Sequence, residues 1–161
     1  MRKGSQESRV PEIKQTSSGR TFNPLNPQTL EPFELKMIIG TGIDIVNIDR
    51  IERLMARWGS VFLGRVFTET EIVACQQKAR PSECFAGRFA AKEAFLKAIG
   101  WGLRNGIQWQ DIEVKNDAMG KPLLSLRRKA QEVCETLRIH NILLTLSHDR
   151  PYAVAHVLLE G

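Results

Sequence analysis

The run Phe85-Ala-Gly-Arg-Phe-Ala-Ala-Lys-Glu-Ala-Phe-Leu-Lys-Ala-Ile-Gly100 constrains this fold more than any other stretch. It reads as a buried helix, yet it carries Arg88, Lys92, Glu93 and Lys97. Charge in an apolar setting needs a partner, because an ion stripped of water and left alone is expensive. At helical spacing Arg88 and Lys92 stack one turn apart as like charges, and Glu93 and Lys97 stack on the adjacent strip as an opposite pair. A dianionic ligand beside a metal ion would satisfy that arrangement.

The elements around this helix follow from periodicity and turn chemistry. Met37 to Val46 is Ile/Val-rich and reads as a buried strand, interrupted by Asp44 near its end. Ile48, Ile51, Leu54, Met55 and Trp58 recur at helical spacing behind Asn47, a fitting N-cap. A second helix is expected over Thr70 to Ala79, and the long one over Ser82 to Ile99, stopped by Gly100. Beyond the Gly-rich loop Trp101 to Gln108, strands are expected at Asp111 to Lys115 and Pro122 to Leu126 around the turn Asn116 to Gly120. A helix over Arg127 to Leu137 then precedes a hairpin of Asn141 to Ser147 and Tyr152 to Leu159, turning through His148 to Pro151. This order predicts an α+β domain, a small, mostly antiparallel sheet packed on one long helix. Met1 to Lys36 is rich in Ser, Thr, Gln, Pro and Gly and reads as a disordered extension, with Met37 a candidate start.

Asp44 and Glu93 are candidates for a shared metal site, since both are carboxylates in apolar surroundings. Two carboxylates are too few for a calcium cage and suit magnesium, which keeps water and takes phosphate oxygens. A plainer reading has Asp44 capping the following helix and Glu93 paired with Lys97. Arg88 and Lys92 repel unless an anion bridges them, and a phosphate would serve. Arg50, Arg53 and Arg57 form a cationic stripe that either docks an acidic helix or is simply solvated. Ser147, His148 and Asp149 are adjacent in sequence and do not make a catalytic triad, which is assembled from separated segments.

A net charge of +5 points to an acidic partner or phosphorylated ligand, or to solubility alone. Aromatic residues make up 7% and none interleave with the basic residues as a stacking platform, so nucleic-acid binding is not expected. Neither a secretory h-region nor a membrane-spanning apolar run is found, and no membrane association is expected. Cys75, Cys84 and Cys134 are odd in number and lack metal-site spacing, so neither a disulfide framework nor a zinc site is expected. A reducing, cytoplasmic setting fits, with Cys84 and Cys134 as inert buried thiols.

These residues carry a resemblance. Gly42-Ile-Asp-Ile-Val46, the run from Phe85 to Gly100, the turn ending Gly120-Lys-Pro122 and Leu146-Ser-His148 together resemble the holo-[acyl-carrier-protein] synthases of the 4′-phosphopantetheinyl transferase superfamily. The likeness covers Met37 to Leu159 and implies the fold of that superfamily. It implies that Asp44 and Glu93 bind magnesium, and that Arg88, Lys92 and Lys97 surround the phosphates of coenzyme A with His148 nearby. It further implies that Gly120, Lys121 and Pro122 border the adenine pocket. Glu93 and Lys97 are the implied catalytic residues, and Arg50, Met55 and Arg57 the implied surface for an acidic acyl carrier protein. A homotrimer with sites at subunit boundaries is implied as well. The expected reaction transfers 4′-phosphopantetheine from coenzyme A to a carrier serine and releases adenosine 3′,5′-bisphosphate, supporting fatty acid biosynthesis. Asn47, where many relatives carry an acid, and the segment before Met37 depart from the family pattern. A non-catalytic module binding nucleotide or coenzyme A in the same cationic pocket is the competing expectation.

Overall fold

The structure, a computed structural model, describes residues 37–161. The expectation of a disordered extension over 1–36 lies outside the described residues. Strand β1 (Ile38–Asn47) runs into helix α1 (Ile48–Val66), where the Asn47 side chain accepts from the Arg50 backbone N–H at 2.9 Å. Helix α1 outlasts its apolar period by two turns, because Gly59, at φ +49°, breaks the regular backbone and re-aims the rest so that Leu63 and Val66 are buried. Helix α2 (Glu69–Gln76) starts at a capping box in which Thr68 and Glu71 satisfy each other's backbone N–H groups. Helix α3 (Pro81–Ala98) follows with proline in its first turn, where no N–H is missed.

A hairpin of β2 (Ile112–Asn116) and β3 (Pro122–Leu126) forms a two-stranded antiparallel sheet. Helix α4 (Arg128–Thr136) leads to β4 (Asn141–Asp149) and β5 (Tyr152–Glu160), which join β1 in a three-stranded antiparallel sheet of order β1-β5-β4. The α+β class and the long helix on a small antiparallel sheet agree with expectation. The strands divide into two sheets.

Helix α3 lies against the inner face of the larger sheet, and small residues let it come close. Ala90, Ala91, Ala94 and Phe95 of α3 are fully buried, as are Ala153, Ala155, Val157 and Leu159 of β5. A Cβ on Gly40 would overlap the Ala98 carbonyl oxygen, and one on Gly42 the Ala94 carbonyl oxygen. Glycine at these two positions therefore sets the separation of β1 and α3.

Strand β1 is not the buried strand that its composition suggested. It stands at the sheet edge, where alternation turns Gly42 and Val46 inward and leaves Ile43 and Ile45 61% and 62% exposed.

Candidate active site

Two cavities flank α3. The first lies between β1 and α3, measures about 460 Å³, and is lined by Asp44, Asn47, Arg50, Phe89, Glu93 and Tyr152 among others. Asp44 reaches it because even-numbered residues of β1 face α3, and Glu93 because the glycine contacts hold α3 close. Burial pushes the Glu93 carboxyl above the usual range, and the neighbouring Asp44 charge pushes the same way against Lys97 and Arg50. Lys97 donates to Asp44 Oδ1 at 2.7 Å and to the Ile43 carbonyl at 3.1 Å. So Lys97 pairs with Asp44, not with Glu93 one turn back.

The cavity therefore holds two hard carboxylate donors with water access and one adjacent ammonium. No cluster of three or more His, Cys, Asp or Glu side chains suited to a metal occurs among the described residues. The donor set fits magnesium, which takes one or two protein carboxylates and fills its octahedron with water and ligand oxygens.

The second cavity opens on the opposite flank of α3, about 510 Å³ in volume, and is lined by Lys78, Arg80, Glu83, Arg88 and His148 among others. It adjoins a third of about 690 Å³ that shares Lys78, Arg88 and Asn116 and extends to Gly120. Arg88 lies between the two, 8% exposed. Its Nη1 donates to Cys84 Sγ at 2.7 Å and its Nη2 to Asn116 Oδ1 at 3.4 Å, while its buried Nε has no partner among the described residues. Burial lowers the pKa of this guanidinium from its ordinary value. A buried guanidinium lining both cavities, its Nη groups held only by a sulfur and an amide oxygen, marks a place for an anion.

Gly120, at φ +86°, closes the turn between β2 and β3, and its carbonyl accepts from Asn116 Nδ2 at 2.8 Å, holding Asn116 toward Arg88. Lys121 is exposed and Pro122 half-buried beside it. His148 was expected in a turn, but pairing of β4 with β5 continues to Asp149, so it lies in the strand opposite Ala153. Its Nδ1 stands 3.9 Å from Glu83 Oε2. The Arg150 guanidinium, hydrogen-bonded to Glu83 at 2.9 Å, holds that carboxyl below the usual range.

Lys92 requires a correction. It was expected among the phosphate-binding cations, yet its side chain is 0% exposed. Its Nζ donates to Glu71 Oε2 at 2.7 Å, the Val66 carbonyl at 2.8 Å and the Trp109 carbonyl at 3.1 Å. All three ammonium protons are used, and none is left for a ligand. Glu71 in turn accepts from the backbone N–H of Thr68 and Val114, so the pair ties α2, α3 and β2 together. The cysteines require a second correction. Cys75 and Cys84 form a disulfide across α2 and α3, and only Cys134 keeps the expected character, a buried thiol pushed up to about 11 by desolvation.

Comparison with known proteins draws these features together. The family model of the 4′-phosphopantetheinyl transferase superfamily matches residues 40–157. A holo-[acyl-carrier-protein] synthase from Geobacter sulfurreducens is 52% identical over 124 residues, 77% of this chain and 98% of the relative. The chain belongs to the holo-[acyl-carrier-protein] synthases of that superfamily. Membership makes it an enzyme, a phosphopantetheinyl transferase. Among solved synthases, the Neisseria meningitidis structure aligns with a TM-score of 0.73 at 37% identity, over 78% of this chain and all, 100%, of that one. The Bacillus anthracis synthase, solved in complex with CoA (3′,5′-ADP), aligns with a TM-score of 0.64 at 39% identity, over 78% of this chain and 98% of that one.

Against the synthase pattern, the structure brings Asp44, Glu93, Lys97 and Arg50 together at one flank of α3, and Arg88, Asn116, Gly120 and His148 at the other. Arg88 and Glu93 are five residues apart, about 140° around the helix, so neighbouring turns of α3 serve the two cavities. Arg50 and Arg57 are exposed on α1 with Met55 half-buried between them. Sequence reasoning missed Lys78 and Glu83, which line the second cavity, and Tyr152 and Phe89, which line the first. Nothing in their spacing marks them, since they come from different elements and meet only through packing.

Proposed function

We propose that the chain transfers 4′-phosphopantetheine from coenzyme A to a serine of an apo acyl carrier protein, releasing adenosine 3′,5′-bisphosphate. The observation that carries this reading is the Asp44 and Glu93 carboxylate pair, in one cavity beside Lys97, with a cation-lined groove across the same helix. The nucleophile belongs to the partner, consistent with the separation of Ser147, His148 and Asp149 from any triad geometry.

Asp44 and Glu93 would hold magnesium, which when bound supplies charge neutralisation at the attacked phosphate and the leaving group. Lys97 exchanges its bond to Asp44 for a phosphate oxygen as the donor enters, and fixes that group in line. Arg88 takes the donor's phosphate with its guanidinium charge, with His148, Lys78 and the turn at Gly120, Lys121 and Pro122 around the nucleotide end. Arg50, Met55 and Arg57 meet the acidic carrier, steering it electrostatically to the cavity that Arg50 itself lines.

Asp44 on β1 and His148 on β4 are separated by the full width of a three-stranded sheet, about 10 Å across two strand spacings. That separation supports a homotrimer in which one protomer's carboxylate cavity meets its neighbour's cationic groove. The exposed Ile43 and Ile45 of the edge strand and Leu143 of β4, on the outer sheet face, supply an apolar surface for the contact. No helix among the described residues is long and apolar enough to cross a membrane. The proposal accordingly assigns residues 37–161 as a cytoplasmic transferase domain that serves fatty acid biosynthesis and binds neither membrane nor nucleic acid.

Purified protein incubated with coenzyme A, magnesium and apo carrier should raise the carrier's mass by one phosphopantetheinyl group, read by intact-protein mass spectrometry. Coenzyme A binding with no mass gain on any apo carrier tested would overturn the reading in favour of a non-catalytic binder.

A further inference from the structure

The crosslink between α2 and α3 has no part in the chemistry above. Cys75, in the last turn of α2, is 0% exposed, while Cys84, in the first turn of α3, is half-buried and lines the second cavity. Their Cα atoms lie 5.4 Å apart and the sulfurs are bonded. The bond closes the segment 76–83 into a loop, and Lys78, Arg80 and Glu83 of that loop line the same cavity. At its edge Cys84 Sγ accepts the hydrogen bond from Arg88, the guanidinium whose Nε has no partner among the described residues. A sulfur able to change its charge thus sits on the buried cation of the groove.

We propose that Cys75 and Cys84 form a thiol–disulfide exchange site, through which low-molecular-weight thiols and disulfides set the affinity of this groove for phosphate-bearing ligands. The proposal rests on the groove's reading as the donor site. Access makes Cys84 the attacked sulfur. A small thiolate bonds to Cys84 Sγ, the bond to Cys75 breaks, and its electron pair leaves on Cys75, which takes a proton. A second small thiolate then attacks the small-molecule sulfur of the mixed disulfide and expels Cys84 as a thiolate beside Arg88. The sum is one protein disulfide and two thiols giving two protein thiols and one small disulfide. A small disulfide runs it in reverse as oxidant.

The two states differ in what they offer an anion. With the bond closed, Cys84 is neutral, the charge of Arg88 is available, and the loop carrying Lys78 and Arg80 is tethered at both ends. With the bond open, the Cys84 thiolate claims Arg88 and the loop must be ordered on binding. Both changes weaken binding.

The test uses the full chain in glutathione and glutathione disulfide buffers, with the state of Cys75 and Cys84 read by alkylation and mass spectrometry. Adenosine 3′,5′-bisphosphate, which has no thiol of its own, is titrated calorimetrically into each state. Reduction should weaken binding about tenfold, the scale of one charge-assisted hydrogen bond, and oxidation should restore it. Cys84→Ser, with the loop untethered but no thiolate beside Arg88, should bind between the two levels and respond to neither buffer, with circular dichroism confirming its fold. Equal affinity in states shown to differ at Cys75 and Cys84, or no interconversion of the pair in these buffers, would overturn the exchange site alone. Absence of binding in either state would overturn the donor-site reading and the proposal with it.

Discussion

Lys92 and Glu93 are neighbours in sequence with opposite fates. The helix turns Lys92 into the protein interior, where desolvation lowers its pKa from its ordinary value and Glu71 opposes the shift, while Glu93 faces a cavity with water access. Removing one partner of a buried ion pair leaves an uncompensated charge, so Lys92→Met should cost about 3–5 kcal/mol by chemical denaturation. Lys92 lines neither groove cavity, but removing it leaves the Glu71 charge to act on Arg88, so the folded fraction of that variant should bind adenosine 3′,5′-bisphosphate more weakly than the wild type. Glu93→Gln is expected to behave the opposite way, keeping the melting temperature within a few degrees while magnesium-dependent carrier modification is abolished. Its unchanged turnover would refute the metal assignment.

At the scale of elements, the β1 to α3 contact decides whether the site exists. Gly42→Ala must push the Ala94 carbonyl away, an overpacking expected to cost about 1–3 kcal/mol. It should also part Asp44 from Glu93 and weaken magnesium binding, measurable by calorimetry on the same sample. A second junction is the turn between β4 and β5, where Arg150 reaches Glu83 of α3 at 2.9 Å and Asp49 of α1 at 3.6 Å. Glu83 titrates below the usual carboxylate range in the folded chain because Arg150 donates to it, with Arg80 adding to the effect. A depressed carboxyl stabilises the fold fully above its unfolded pKa and loses that contribution as pH falls through the folded value. Arg150→Met should therefore lower stability most at neutral pH and change it little in acid, where the Glu83 contribution is already lost, as measured by chemical denaturation at the two pH values.

For the whole molecule, the proposed trimer rests on the outer face of the three-stranded sheet. Ile43 and Ile45 alternate with the inward residues that hold Asp44 in place, so one strand both builds the carboxylate cavity and presents an apolar edge. Ile45→Lys should leave the protomer folded, convert trimers to monomers by size-exclusion chromatography with light scattering, and abolish carrier modification. Retained activity in a monomer would sink the shared site.

The sequence by itself determined the α+β class, the long central helix with its glycine stop, the hairpins and the Asn47 cap, because these follow from local periodicity and turn chemistry, whereas spacing left Asp44 and Glu93 open between a metal pair and a helix cap with an ion pair. Tertiary structure alone decided which charges face solvent. Spacing along α3 put Arg88 and Lys92 on one strip, but packing against α2 and β2 closed over Lys92 and left Arg88 at a groove. It decided the cysteine pairing too, since sequence separation says nothing of two sulfurs brought together by the angle between helices. The apolar run of β1 reads the same whether one face or both are covered, and its place at the edge is a property of sheet order, which no local pattern encodes.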